Sequence, residues 1–166
     1  MDRDLSSFRP SKLWRRIPLE RRIDAAGLFW EDEHSADQQV EAVSAIATQM
    51  KFRPRSVIAL PPEKRAKYLA QLPAISDTIA ARALVNYHLE RQRPMMSAFL
   101  DLLGIAHENG LISEENAPKP DPAIVQQAVK DLSAKFPSDE VSLYLSTLVS
   151  QDPETWDALI DVAQPA

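Results

Sequence analysis

Phe8-Arg9-Pro10, followed by Ile17-Pro18-Leu19-Glu20-Arg21-Arg22, returns later in the chain as Phe52-Arg53-Pro54, followed by Leu60-Pro61-Pro62-Glu63-Lys64-Arg65. Each copy reads Phe-Arg-Pro, a short spacer holding two or three apolar residues, then apolar-Pro-x-Glu-basic-Arg. The copies lie 43 or 44 residues apart, because one spacer is a residue longer. Recurrence at about 40 residues predicts stacked helical units more than a body built around one cleft. The second half of the phrase has a local reason. Proline suits a helix start, where its missing N–H has no intrahelical partner, and glutamate suits the positive end of the helix dipole. The same start logic recurs without the bases at Asp121-Pro122 and Asp152-Pro153. The Phe-Arg-Pro prefix is the part it does not explain.

Working outward, the composition agrees with an all-α fold. Only 3 glycines occur, too few for the turns of an all-β chain, while 13 prolines fall between apolar-periodic blocks. Cysteine is absent, so there is no disulfide framework, thiolate metal site or cysteine nucleophile. No apolar run approaches the roughly 18 residues that span a bilayer, and Met1-Asp2-Arg3-Asp4 leads into no apolar signal core. A soluble cytoplasmic protein is the expectation.

The periodicity predicts about seven helices joined by short Pro-punctuated loops, as a bundle or a short helical superhelix. Residues 1–17 read as an irregular arm anchored by Leu13 and Trp14. A helix from Pro18 carries Ile23, Ala26, Gly27 and Trp30. The next begins at Ser35, with Ser35 and Gln38 as a capping box and Val40, Val43, Ala47 and Met50 along its face. Helices from Pro61-Pro62 and from Ser76 or Asp77 follow. The stretch from Met95 to Asn109 is apolar nearly all round and reads as the central helix. Gly104 then falls in mid-helix, implying close approach of a neighbour, and Asn109-Gly110-Leu111 reads as its stop. Asn116 to Pro122 is the linker candidate. It marks off a 1–115 domain with a basic arm from a 116–166 acidic subdomain of three helices, the last opened by Asp152-Pro153, packed on the first as one compact unit.

The stretch Leu60-Pro61-Pro62-Glu63-Lys64-Arg65-Ala66-Lys67-Tyr68-Leu69-Ala70-Gln71-Leu72-Pro73 resembles the repeating helical phrase of the magnesium-transporter N-terminal domain and flagellar motor switch family. The resemblance implies a helical superhelix used for contacts. It covers that stretch alone, the rest of the chain does not continue the pattern, and it transfers no functional residue.

The net charge of −5 is unevenly spread. Bases gather in 1–22 and 51–67, where the two phrases lie; 23–50 holds acids and no base, and 110–166 is strongly acidic. Pairing of basic with acidic blocks, within or between chains, is the plain expectation. The binding candidates are Arg9, Arg15, Arg16, Arg53 and Arg55, with Lys12 beside them. A pocket candidate is Tyr87, His88, Arg91, Asp101 and His107, because Asp101 interrupts an apolar helix and a buried carboxylate needs a partner. His107 also suits a helix C-terminus. Glu31-Asp32-Glu33-His34 holds a Glu-x-x-His, but di-iron bundles need a second such pair, so it reads as a solvated turn. Trp14, Trp30 and Trp156 read as core anchors. No Gly-rich phosphate loop or Gly-x-Ser-x-Gly occurs. No catalytic residue, metal or cofactor is assigned. The leading expectation is a non-catalytic helical interaction or scaffold domain with a protein partner, including a second copy of itself. The alternatives are a small-molecule-binding or enzymatic helical domain around Asp101, His88 and His107, and nucleic-acid binding through the basic blocks.

Overall fold

A computed structural model describes residues 4–113 and 119–163. The fold is all-α. Its helices are α1 (Pro10–Arg16), α2 (Leu19–Glu31), α3 (Ala36–Met50), α4 (Pro54–Ile58), α5 (Pro62–Gln71), α6 (Asp77–Arg91), α7 (Arg93–Leu103), α8 (Pro122–Lys135) and α9 (Ser138–Gln151). Two 3₁₀ turns, Ser6–Phe8 and Asp157–Leu159, and a two-stranded hairpin, β1 (His107–Glu108) and β2 (Leu111–Ile112), complete the described residues. The chain forms two compact units, one of residues 10–90 and one of residues 1–9 with 91–166. The division expected at 115/116 falls outside the described residues.

Both phrases do the same local thing, the first beginning at Phe8-Arg9 just ahead of the 10–90 unit and the second lying within it. Arg9 and Arg53 are extended, as a residue before proline must be, and Pro10 and Pro54 open α1 and α4. Pro18 and Pro61 then adopt the same conformation (φ −55° each, ψ 147° and 146°) at the N-caps of α2 and α5. Hence the basic arm is helical rather than irregular, with Leu13 and Trp14 buried. Helices α2 and α5 pack on each other most extensively. The residues the two helices bury are mostly small, Ala25, Ala26, Ala66 and Ala70, together with Phe29 and Leu69. The pair is antiparallel: Arg22 near the start of α2 donates to the carbonyl of Ala70 near the end of α5, at 3.1 Å. Arg65 near the start of α5 stacks over Trp30 near the end of α2, at 5.2 Å.

Helix α3 turns part of the expected face inward, Val43 and Ala47, but is rotated so that Ala42 and Ile46 join them in place of Val40 and Met50. Ala42, Val43, Ile46 and Ala47 are buried, whereas Val40 is 68% exposed and Met50 lies half outside. Helix α6 is buried on most sides, through Ile79, Ala80, Ala83, Leu84, Asn86, Tyr87 and His88. Its N-terminus divides two tasks between adjacent residues. Ser76 Oγ accepts from Ile79 N–H, capping α6, while Asp77 accepts from Ser11 N–H and caps α1.

In the other unit, α9 takes the central place expected of the stretch from Met95. Every residue from Leu143 to Val149 is buried. Phe99 of α7 meets Tyr144 edge-on at 5.8 Å and Trp156 at 6.0 Å. The turn Ser6–Phe8 packs on α9 and buries Phe8. Helix α7 ends at Gly104, not at Asn109. Gly104 has φ +68°, and a Cβ there would meet nothing within 4 Å, so left-handed backbone and not close packing explains this glycine. Asn109-Gly110 is a hairpin turn, with both residues at positive φ, pairing Glu108 with Leu111 and His107 with Ile112.

Asp121 caps α8 as read from the sequence, accepting from Ala123 N–H at 2.8 Å with Pro122 at the first helical position. Asp152 does not open a third long helix. Its carboxylate takes the N–H and hydroxyl of Thr155, and the chain continues through 3₁₀ bonds to Leu159. Trp156, Leu159, Ile160 and Ala163 are nonetheless buried, and Ser146 Oγ ties the segment to α9 through the Ala163 carbonyl.

Candidate functional site

The arginines of the 10–90 unit fall into two groups, those held by their own unit and those left outside. Arg15 donates to the Pro73 carbonyl. Arg22 spans from the Ile17 carbonyl, at 2.9 Å, to that of Ala70. Arg65 lies on Trp30, and Arg82 binds the α2–α3 junction. Arg16 is engaged as well, as is Arg9, which belongs to the other unit. Cations placed on helix C-terminal carbonyls or an aromatic face do structural work there. Two of the five binding candidates, Arg53 and Arg55, differ. They are exposed, and with Lys51 they take no side-chain hydrogen bond or ion pair among the described residues. Lys12 is exposed on α1.

These free cations sit in the corner between α3 and α4. Lys51 ends α3 in the left-handed conformation, φ 57°, and its neighbours Met50 and Phe52 are partly exposed. Ile58 at the end of α4 is 60% exposed, and only Val57 turns inward to anchor the short helix. Phe52 meets Tyr68 of α5 edge-on at 6.0 Å. Lys64, one turn before Tyr68, therefore shares the helix face nearest the corner. The first copy of the phrase is used oppositely: Phe8 is 3% exposed where Phe52 is 37% exposed.

The stretch read as a solvated turn, Glu31 to His34, is a turn with Glu31, Glu33 and His34 exposed, and its Asp32 anchors a polar cluster. Asp32 accepts from His34 N–H at 3.1 Å, from the Ser35 hydroxyl, and from Arg82 at 3.3 Å. Ser35, fully buried, in turn accepts from Arg82 Nε at 2.9 Å and Asn86 at 3.4 Å. Burial raises the Asp32 pKa, but the hydrogen bonds from Ser35 and His34 and the Arg82 charge outweigh it, leaving the carboxyl below its ordinary value. Ser35 makes no capping bond to α3. Gln39 reaches back instead of Gln38, donating to the carbonyls of Phe29, Trp30 and Asp32. The missed signal was Arg82 and Asn86, four apart on α6 and thus on one face. The cluster fastens α2, α3 and α6 together.

The five pocket candidates are divided between the two units. Tyr87 and His88 are buried on α6, ring against ring at 5.5 Å. His88 Nδ1–H donates to the Leu84 carbonyl at 2.9 Å, and burial pushes its pKa down to about 4. The imidazole is a neutral core group. Arg91 is the last residue of α6, exposed and engaged. Asp101 and His107 do meet, within the other unit. His107 Nε2–H donates to the exposed Asp101 carboxylate at 2.6 Å, and its Nδ1 accepts from Gly110 N–H at 3.1 Å. The pair thus straps the hairpin to the end of α7, and His107 is no helix cap. Both of its ring nitrogens are occupied.

A shallow cleft of about 280 Å³ runs between α7 and α8, lined by Leu102, Ala123, Ile124, Gln127, Ala128 and Asp131. Among the described residues no three His, Asp or Glu side chains gather as a metal site would require, and no helix is long and apolar enough to cross a membrane. The described residues define an all-α protein with a basic, partly apolar corner between α3 and α4. No family model, curated protein or solved structure matches the chain.

Proposed function

We propose that this chain is a non-catalytic helical interaction domain that presents the α3–α4 corner to a partner protein. One contrast carries the reading. Most arginines near the two phrases are bound by their own unit, while Lys51, Arg53 and Arg55 stand free beside Met50, Phe52 and Ile58. Cations mixed with large exposed apolar side chains are the composition of a protein contact, where arginine and aromatics dominate the energy. The two Phe-Arg-Pro phrases then form a duplicated helical unit. The first copy closes a core through Phe8, and the second opens its equivalent phenylalanine to a partner.

A photo-reactive phenylalanine analogue at Ile58, with another at exposed Thr78 as control, tests this in native extract. The expected result is one protein-sized adduct from position 58, none from position 78, and loss of the adduct when R53E and R55E are added. Adducts of equal yield at both positions, or adducts only to nucleic acid, would overturn it.

A further inference from the structure

Building on that reading, we propose that the segment received by the α3–α4 corner is an acidic amphipathic peptide stretch of the partner. Its carboxylates would pair with Lys51, Arg53 and Arg55, and its apolar side chains would cover Phe52, Ile58 and Met50. Charge is the first argument. From Lys51 to Lys67 the chain carries Lys51, Arg53, Arg55, Lys64, Arg65 and Lys67 against Glu63 alone, and of these only Arg65 is drawn inward, over Trp30. The second is the kind of cation. Guanidinium forks match carboxylate geometry, and apolar neighbours that exclude water strengthen such pairs. Third, the exposed apolar side chains favour a peptide over a nucleic acid. Ile58 and Met50 offer aliphatic surface that a sugar-phosphate chain does not complement, and Phe52 already spends contact area on Tyr68 in an edge-on pair rather than standing open for a base.

Lys51 supplies a fourth argument. It occupies a left-handed position where glycine is the less strained residue, at the cost of local stability. Strain retained at an exposed corner points to a use for the side chain outside the fold. Together Lys51, Arg53 and Arg55 occupy alternating positions, separated by Phe52 and Pro54, from the end of α3 into the first turn of α4.

The test is selection of a phage-displayed random-peptide library on the full chain, followed by fluorescence anisotropy with the enriched peptide. Enriched sequences are expected to combine Asp or Glu with Leu, Ile, Phe or Trp, and binding should weaken as salt rises. R53E with R55E should lower affinity by about tenfold or more, the equivalent of at least one lost charge pair. K51G should weaken binding while raising the melting temperature, an opposition that a merely structural lysine does not produce. Labelled oligothymidylate serves as comparator. The proposal is overturned if selected peptides lack acids, if they bind R53E/R55E unchanged, or if the oligonucleotide binds more tightly than any peptide. A corner-specific protein adduct with non-acidic peptides would remove this partner class alone. No adduct and no enriched peptide would remove the interaction reading as well.

Discussion

Single residues here separate what a side chain is from what its backbone needs. Gly104 and Gly110 both have positive φ, yet their surroundings differ. A Cβ on Gly104 enters open space, whereas one on Gly110 would sit 2.9 Å from the Cβ of Met96. Gly104→Ala should therefore cost about 1 kcal/mol, the left-handed penalty alone. Gly110→Ala should cost about 3 kcal/mol, because the backbone of α7 must also move. Urea denaturation of the two variants measures the difference, and equal costs would contradict the packing described. His88 makes the other residue-scale prediction. Its pKa falls from 6.5 to about 4 on folding, so between those values the unfolded chain holds a proton that the folded chain does not. Its stabilisation is complete above pH 6.5 and is lost as the pH drops toward 4, by about 3 kcal/mol in all. In His88→Phe that part of the slope of stability against pH should vanish, whatever the variant's absolute stability. Neither behaviour was legible in the sequence. Gly110 reads as part of a helix stop and is instead part of a hairpin turn, and Gly104 reads as a mid-helix residue because the apolar run continues past it through Ile105 and Ala106. Asn-Gly was itself a hairpin signal, hidden by the short two-residue strands on either side.

Elements begin where the sequence says and end or rotate where packing says. Proline starts at α4, α5 and α8 follow from a missing N–H, a property of the residue alone. The inward face of α3 is set by neighbours: Val40 fits the helical period as well as Val43, but Ser35 and Gln39 are drawn to the α2–α3 junction and fix the rotation. The candidate site was half legible for the same reason. Arg53 and Arg55 looked like Arg15 and Arg16 in sequence, and only the Pro73 carbonyl tells Arg15 apart. Arg22→Met removes two hydrogen bonds from a partly buried guanidinium and should destabilise by about 2 kcal/mol. Arg53→Met, with no bond to lose, should stay within about 0.5 kcal/mol. Ser35→Ala strips one acceptor shared by Arg82 and Asn86 and a donor to Asp32, and should cost about 2 kcal/mol. Thermal melts of the three variants order them, and a loss at Arg53 equal to that at Arg22 would mean the corner is structural.

At the scale of the molecule, the proline-rich linker falls largely outside the described residues, and the chain divides into two compact units, residues 10–90 and residues 1–9 with 91–166. Residues 10–90 carry their own apolar centre, with Leu13, Trp14, Phe29, Ile46, Leu69, Ile79 and Leu84 fully buried. Residues 91–166 do not suffice for the other unit, because residues 1–9 belong to it and Phe8 packs with α9. Linear composition cannot reveal a unit assembled from both ends of the chain. The prediction is asymmetric. A fragment of residues 10–90 should fold alone, with a cooperative helical melt by circular dichroism. A fragment of residues 91–166 should melt broadly or stay molten, and a peptide of residues 1–9 added in excess should sharpen its transition. Phe8→Ala in the full chain should cost about 3–5 kcal/mol, the usual loss for a buried phenylalanine. The resulting rise in hydrogen exchange should appear first in α9, against which Phe8 packs. Phe52→Ala, the same letter in the same phrase, should leave exchange in α9 unchanged and cost no more than about 1 kcal/mol, since much of that ring already meets water. If the two alanine variants behaved alike, the phrase would have one structural role in both places, and the reason for assigning Phe52 to a partner would be gone.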